Sequence, residues 1–319
     1  MQRWRPGLDW HFHLIGILNG FGRSLGDGII GLQALQVALH VGAVPSKPVL
    51  FRLSGLPAMV EALYEVADFA EIRPLPWDYA TPERRFDPAG AFVQVIDLRD
   101  FAFDPGFQQT AMIDFFLRRL GVQPDLVPPA WRRNTWLASR VTPAQPEFPP
   151  GYVLVCPQAS MRLRDMPDPV HVHILRQARA VGPVLTQGAV PDGLGSDVRR
   201  TPPSKTLEAL CGLVRHAKLV ISTDTAMIHL ADAFSVPCLA FFPTHRPQWR
   251  VRDYPRCLPV ALPSRLPPGI EFARGPDDDA LARSSWFAHG DEFGWLNRAI
   301  AQALEMVDRA ATGLVAAMC

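Results

Sequence analysis

The sequence predicts an α/β protein built from two parallel-sheet domains, and three observations carry that expectation. Short apolar runs alternate with helical patterns along the chain, and a proline-rich stretch interrupts them near the middle. At 319 residues the chain also exceeds the size at which a single core keeps growing.

In the first half, strands are expected near 12–19, 48–53 and 92–97, with helices near 27–42, 56–68 and 108–121. Proline becomes frequent from Pro124 to Pro150, and Val141 to Pro150 reads as the linker. The second half restarts the alternation. Strands are expected near 152–156, 183–186, 218–221 and 237–242, and helices near 168–181, 205–216 and 225–235. Trp295 to Ala310 reads as a long terminal helix.

Composition narrows the function classes. Hydrophobic residues at 48% supply ample core, and a formal net charge of +1 gives no general drive toward nucleic acid or an anionic membrane. Cys156, Cys211, Cys238, Cys257 and Cys319 are widely spaced, odd in number and without a C-x-x-C pair, which argues against a zinc cluster or a disulfide framework. A reducing, cytoplasmic setting is expected. The basic start Met1 to Pro6 is followed by Gly7-Leu8-Asp9-Trp10-His11 rather than an apolar signal region, and no run reaches the roughly 18 apolar residues of a membrane span.

Two turns carry the chemistry. Ala217 to Ile221 is a strand that runs into Ser222-Thr223-Asp224-Thr225-Ala226, and a helix bearing His229 runs out. Asp224 and Thr225 can cap that helix, whose free N–H groups and positive dipole end suit a phosphate. An ordinary capped helix with a buried histidine fits the same residues. Nearer the N-terminus, the strand ending at Asn19 is followed by Gly20-Phe21-Gly22-Arg23-Ser24-Leu25-Gly26-Asp27-Gly28, then by a helix. The glycines let a ligand approach the main chain, and Asp27, at the helix start, is held ionised by the dipole and can accept a proton from a hydroxyl. An N-cap aspartate is the plainer alternative.

Together these elements resemble glycosyltransferase family 9, the family of the lipopolysaccharide heptosyltransferases. Leu25-Gly26-Asp27-Gly28 with Leu32-Gln33-Ala34-Leu35 is similar to its N-terminal turn. Asp224-Thr225-Ala226, His229, Leu230 to Pro237 and Phe241-Phe242-Pro243-Thr244 are similar to its donor signature. A weaker match runs from Tyr152 to Pro157 and on through Ser160, Arg164 and Pro167. Arg164 stands where the family has lysine, Met166 where it has tryptophan, and Ala226 where it has glycine.

The resemblance implies the GT-B fold, two Rossmann-like domains facing across a cleft, with an acceptor domain over 1–145 and a donor domain over 146–319 whose last helix crosses back. It implies inverting transfer of a sugar, heptose being one candidate, from a nucleotide diphosphate such as an ADP-linked donor to a glycan or lipid-linked acceptor. Asp27 would be the base. Ser160, Arg164, Asp192, Asp224, Thr225, Ala226 and His229 would hold the donor, and Gly26, Gly28, Arg246 and Arg250 would line the acceptor side or its loops. No metal, cofactor or nucleic acid is expected. Peripheral contact with the inner face of a bacterial inner membrane is.

Other readings compete. The same fold can bind a nucleotide or glycan without catalysis. Gly22-Arg23-Ser24-Leu25-Gly26 satisfies the G-x-S-x-G elbow of serine hydrolases, in the order Ser24, Asp224, His229. The glycine turn also approximates a dinucleotide fingerprint, with Arg52 where an NAD site wants an acid. His11 and His13, or His171 and His173, are surface or interdomain residues more readily than metal ligands.

Overall fold

The computed structural model of the chain describes residues 14–45, 47–75 and 92–318. The first sheet contains β1 (Ile15–Leu18), β2 (Val49–Arg52), β3 (Glu71–Pro74) and β4 (Gln94–Asp97) in the order β3-β2-β1-β4, all parallel. Helices α1 (Leu25–His40), α2 (Ala58–Glu65) and α3 (Met112–Arg119) accompany it. A short helix α4 (Thr135–Ala138) lies within the proline-rich stretch and precedes its last part, Val141 to Pro150, which is irregular.

The second sheet has six parallel strands in the order β10-β9-β8-β5-β6-β7. They are β5 (Tyr152–Cys156), β6 (Val184–Thr186), β7 (Val198–Arg200), β8 (Ala217–Thr223), β9 (Cys238–Phe242) and β10 (Cys257–Ala261). Between and after them run α5 (Asp168–Arg179), α6 (Leu207–Arg215), α7 (Ala226–Ala233), α8 (Pro276–Ser285) and α9 (Gly294–Met318).

Strand periodicity divides the second domain's interior. Tyr152, Leu154 and Cys156 point into one apolar cluster that continues through α6, α7 and α1 to the first sheet, whereas Val153 and Val155 point into a second cluster under α5 and α9. The first cluster therefore joins the two sheets. Each fully buried Leu, Ile or Val in it contributes about 1.5–3 kcal/mol. Trp136, buried in the same cluster, donates its indole N–H to the Ile29 carbonyl and ties the linker side to α1.

Sequence patterning missed β3, β7 and β10, all at sheet edges. Residues EIRP and VRR are largely exposed and CLPVA is half-buried, and each strand is too short for a clear pattern of its own. Trp295, Leu296, Ala299, Ile300 and Ala303 pack into the second cluster, and α9 lies against α5, β8, β9 and β10, all within the second domain.

Strand order fixes where ligands belong. In the first sheet the order reverses between β1 and β4, and in the second between β5 and β8. Crevices at the carboxyl ends of such switch points are the natural binding places of open parallel sheets. The glycine-rich turn leaves β1, the Ser160 to Arg164 segment leaves β5, and Asp224-Thr225 leaves β8.

Candidate active site

The first wall is the turn into α1. Gly20 and Gly22 have φ of +52° and +90°, which a side chain would strain, and Gly22 allows Phe101 to pack within van der Waals range. Ser24 is the N-cap, its Oγ accepting from the Asp27 N–H at 3.1 Å, so Asp27 sits in the first helical turn rather than at the cap. Arg52 braces the turn from below. Its guanidinium lies 3.2 Å over the Tyr64 ring and donates to the Gly22 carbonyl at 3.2 Å, which gives it a structural post and not that of a 2′-phosphate ligand.

The second wall is the turn into α7. Thr225 is its N-cap, accepting from the Met227 N–H at 3.2 Å, and its hydroxyl lies 3.0 Å from that of Ser222. Asp224 does not cap. Its carboxylate faces His245 Nδ1 at 3.0 Å and accepts from Arg164 Nη1 at 3.5 Å. Arg164 also donates to Ser160 Oγ at 3.0 Å, and its carbonyl accepts from the Thr223 hydroxyl, which locks the segment after β5 onto β8. The remaining ring nitrogen of His245 faces Glu271 Oε1 at 3.0 Å, and Arg250 approaches the same carboxylate at 3.8 Å.

The two walls meet at their helix N-termini. A Cβ built on Gly26 would lie 3.1 Å from His229 Cδ2 and 3.7 Å from the Ala226 Cα, so glycine is what lets α1 and α7 approach. Two positive dipole ends, Arg164 and Arg250 thus converge, balanced by Asp27, Asp224 and Glu271. Arg250 spans the walls, its guanidinium lying 5.6 Å from the ring centre of Phe107.

Environment separates the carboxyls. Asp27 keeps some accessibility, yet burial pushes its carboxyl up to about 6, against the opposing effects of the Ser24 hydrogen bond and the Arg250 and Arg164 charges. Burial acts on Asp224 in the same direction, but the His245 hydrogen bond and the Arg164 charge outweigh it and hold the carboxyl far below the usual range. His229 is pushed down to about 4 by burial, only partly opposed by Asp224. It is therefore neutral at pH 7. Its Nδ1 lies 2.8 Å from the Tyr254 hydroxyl, which also accepts from Asn134 Nδ2 at 2.6 Å. If Tyr254 donates to Nδ1, the ring proton rests on Nε2, on the side of α1.

Most of the expected residues are brought together, and some are not. Asp27, Gly26, Ser160, Arg164, Asp224, Thr225, Ala226, His229 and Arg250 share this junction. Gly28 lies beside it on α1, where a Cβ would crowd Leu63 and Tyr64. Asp192 is exposed in the turn between β6 and β7, with no hydrogen bond or ion pair among the described residues. Arg246 is exposed and leans toward the Trp249 ring at 5.4 Å. His245 and Glu271 join the site without a motif that marks them in the sequence. His245 follows the Phe241 to Thr244 strand end, and that position was its only signal.

The hydrolase arrangement is not formed. Ser24 serves as a cap, Asp224 pairs with His245, and His229 pairs with Tyr254, so no Ser24–His229–Asp224 relay exists. His171 is buried against Thr186, and His173 stacks on Phe293 and bonds Asn297. His11 and His13 lie outside the described residues. Among the described residues no three His, Cys, Asp or Glu side chains are placed to hold a metal ion, and no helix is long and apolar enough to cross a membrane.

Residues 197–254 match the profile of glycosyltransferase family 9 (heptosyltransferase), from β7 through α6, β8, α7 and β9 to Tyr254. No curated protein matches the sequence. Among solved structures, the iron-containing dodecameric glycosyltransferase TibC of enterotoxigenic E. coli aligns with a TM-score of 0.61 at 14% identity, over 93% of this chain and 76% of that one. E. coli ADP-heptose lps heptosyltransferase II gives 0.53 at 14%, over 77% and 89%. E. coli heptosyltransferase WaaC, solved with ADP-2-deoxy-2-fluoro heptose, gives 0.51 at 16%, over 78% and 93%. At such identities the structural likeness is one of fold. The family 9 profile thus falls on the segment that forms the second switch point, and the two parallel-sheet domains of the chain have the GT-B fold of these neighbours.

Proposed function

We propose that this chain transfers a sugar from a nucleotide diphosphate donor to an acceptor hydroxyl, with inversion at the anomeric carbon. One observation carries the reading: Gly26 of the first domain packs on Ala226 and His229 at the start of α7, and the neighbouring Asp27, its carboxyl poised near 6, lies within the electrostatic reach of Arg164 and Arg250 of the second. The donor diphosphate would lie at the α7 N-terminus, on the Thr225 hydroxyl and the Ala226 N–H, with Ser160 and Arg164 beside it. The acceptor oxygen attacks the anomeric carbon as its proton passes to Asp27. The bond to the β-phosphate oxygen breaks, and the leaving diphosphate's charge falls on the helix terminus and the guanidiniums.

Two structural neighbours, TibC in complex with ADP-D-β-D-heptose and WaaC with ADP-2-deoxy-2-fluoro heptose, support an ADP-linked heptose as the first donor to try. A glycan or lipid-linked acceptor, reached at the inner face of a bacterial inner membrane, is the setting proposed. The decisive assay offers ADP-, UDP- and GDP-sugars with lipid A-core glycans and follows nucleoside diphosphate release and product stereochemistry. Donor binding without turnover, across these acceptors, would favour a noncatalytic nucleotide-binding role.

Arg164→Ala is expected to weaken nucleoside diphosphate binding by about 1.5–3 kcal/mol, the usual worth of a charged hydrogen bond. Calorimetry showing unchanged affinity removes Arg164 from the site. Transfer is further proposed to need no metal, so activity should persist in EDTA. Loss in EDTA with recovery on adding magnesium or manganese would overturn this part of the reading.

A further inference from the structure

Glu271 lies on an irregular strap, residues 262–275, that joins β10 to α8 outside the segment carrying the family match. The strap is fastened on both sides of Glu271. Leu262 N–H donates to the Phe242 carbonyl and Gly269 N–H to the Thr244 carbonyl, while Arg274 bonds Asp278 at the start of α8. Leu266 is buried with Leu163 and Ala282. At Gly269, φ is +85° and a Cβ would lie 3.3 Å from Trp249 and 3.8 Å from Gln108, so the strap reaches the first domain at this glycine.

Between these anchors the Glu271 carboxylate sits among three cationic or donor groups and satisfies one of them well. It meets His245 Nε2 at 3.0 Å, but Arg164 Nη2 and Arg250 Nη2 only at 3.9 and 3.8 Å, beyond hydrogen-bond length. The guanidiniums retain buried nitrogens with no partner, Arg164 Nε and Arg250 Nη1. Arg250 is 6% exposed at its side chain, so water is a poor substitute there. Glu271 is 32% exposed and has a way out. A single carboxylate offers two oxygens to this seat. A diphosphate offers more, at twice the charge or above.

We infer that Glu271 is a displaceable internal anion, occupying the seat between Arg164, Arg250 and His245 until the diphosphate of a donor takes its place. The inference rests on the donor-site reading above. It assigns Glu271 a role with an unusual sign: a carboxylate beside the binding site whose removal strengthens binding. With the carboxylate gone, the two guanidiniums no longer have to exchange one anion for another, and a like charge no longer faces the incoming phosphates.

The test is calorimetry with ADP and with inorganic pyrophosphate on the full chain, comparing the wild type with Glu271→Gln, Glu271→Ala and Arg164→Ala. Both Glu271 variants are expected to bind pyrophosphate and ADP about tenfold more tightly, and Arg164→Ala more weakly. Unchanged or weakened binding in the Glu271 variants, with Arg164→Ala still weakening it, overturns the inference and leaves the donor site standing. Insensitivity to Arg164→Ala overturns both. Tightening for pyrophosphate alone, with no ADP bound, supports the anion seat while removing the nucleotide from the reading. Two substitutions are used so that loss of fold in one, seen by thermal melting, leaves the other informative.

Discussion

Asp27→Asn is expected to cut the proposed transfer by at least about a hundredfold while leaving nucleoside diphosphate affinity nearly unchanged, since the base acts on the attacking hydroxyl and the donor is held by the opposite wall. In the wild type the rate should rise with pH through about 6, the value to which burial pushes this carboxyl, and flatten above it. That limb should vanish in the variant. Stability separates chemistry from folding. The folded-state value lies above that of the unfolded chain, so the native state binds the extra proton and the group's contribution is most favourable below pH about 4, falling as pH rises toward 6. Removing the charge should therefore leave the melting temperature at pH 7 equal or higher. Ser24→Ala, which removes only a cap, should cost about 1 kcal/mol of stability and much less activity. A well-folded Asp27→Asn protein with full activity would sink the mechanism.

Asp224→Ala is the substitution expected to damage the fold most among the site residues. Asp224 is 3% exposed and faces both Arg164 and His245, so its removal leaves a mostly buried guanidinium short of its partner. Breaking one side of such a buried pair typically costs about 3–5 kcal/mol. Denaturant unfolding should show a lower midpoint with little change in slope. The pH dependence has the opposite sign to that of Asp27. Here the folded-state value is depressed, so the stabilisation is present above pH about 4 and is lost as the pH falls below it toward the folded value. The variant should lack that acid-side loss. A destabilisation below about 1 kcal/mol would mean that the network relaxes around the missing carboxylate.

Much of the molecule was written locally. The apolar strands β1, β2, β5, β8 and β9 are buried throughout, or nearly so, and bounded by glycine, proline or capping residues, so their runs were readable one window at a time. The same holds for both site turns. Gly20 to Asp27 declares its backbone requirements through glycine, and Thr225 its helix start through a hydroxyl, because φ preferences and capping act within a few residues.

Other features had no local signature. Whether Asp224 or Thr225 caps α7 depended on His245 and Arg164 drawing the aspartate away. The helix dipole reads Asp27 as ionised at neutral pH, and only its burial in the folded chain lifts the carboxyl to about 6. Asp192 and Arg246 are exposed, since a residue's place along a loop does not fix the direction in which the loop turns. Sequence alone determined the alternating α/β plan, the two ligand-facing turns and the resemblance that joins them, through interactions spanning one turn or one strand. Only the tertiary structure decided the strand order that sets two switch points against each other, the edge strands β3, β7 and β10, and the arrival of His245 and Glu271 beside Asp224 and Arg164. These depend on charges and backbone partners far apart in the chain, which become neighbours only when both sheets have formed.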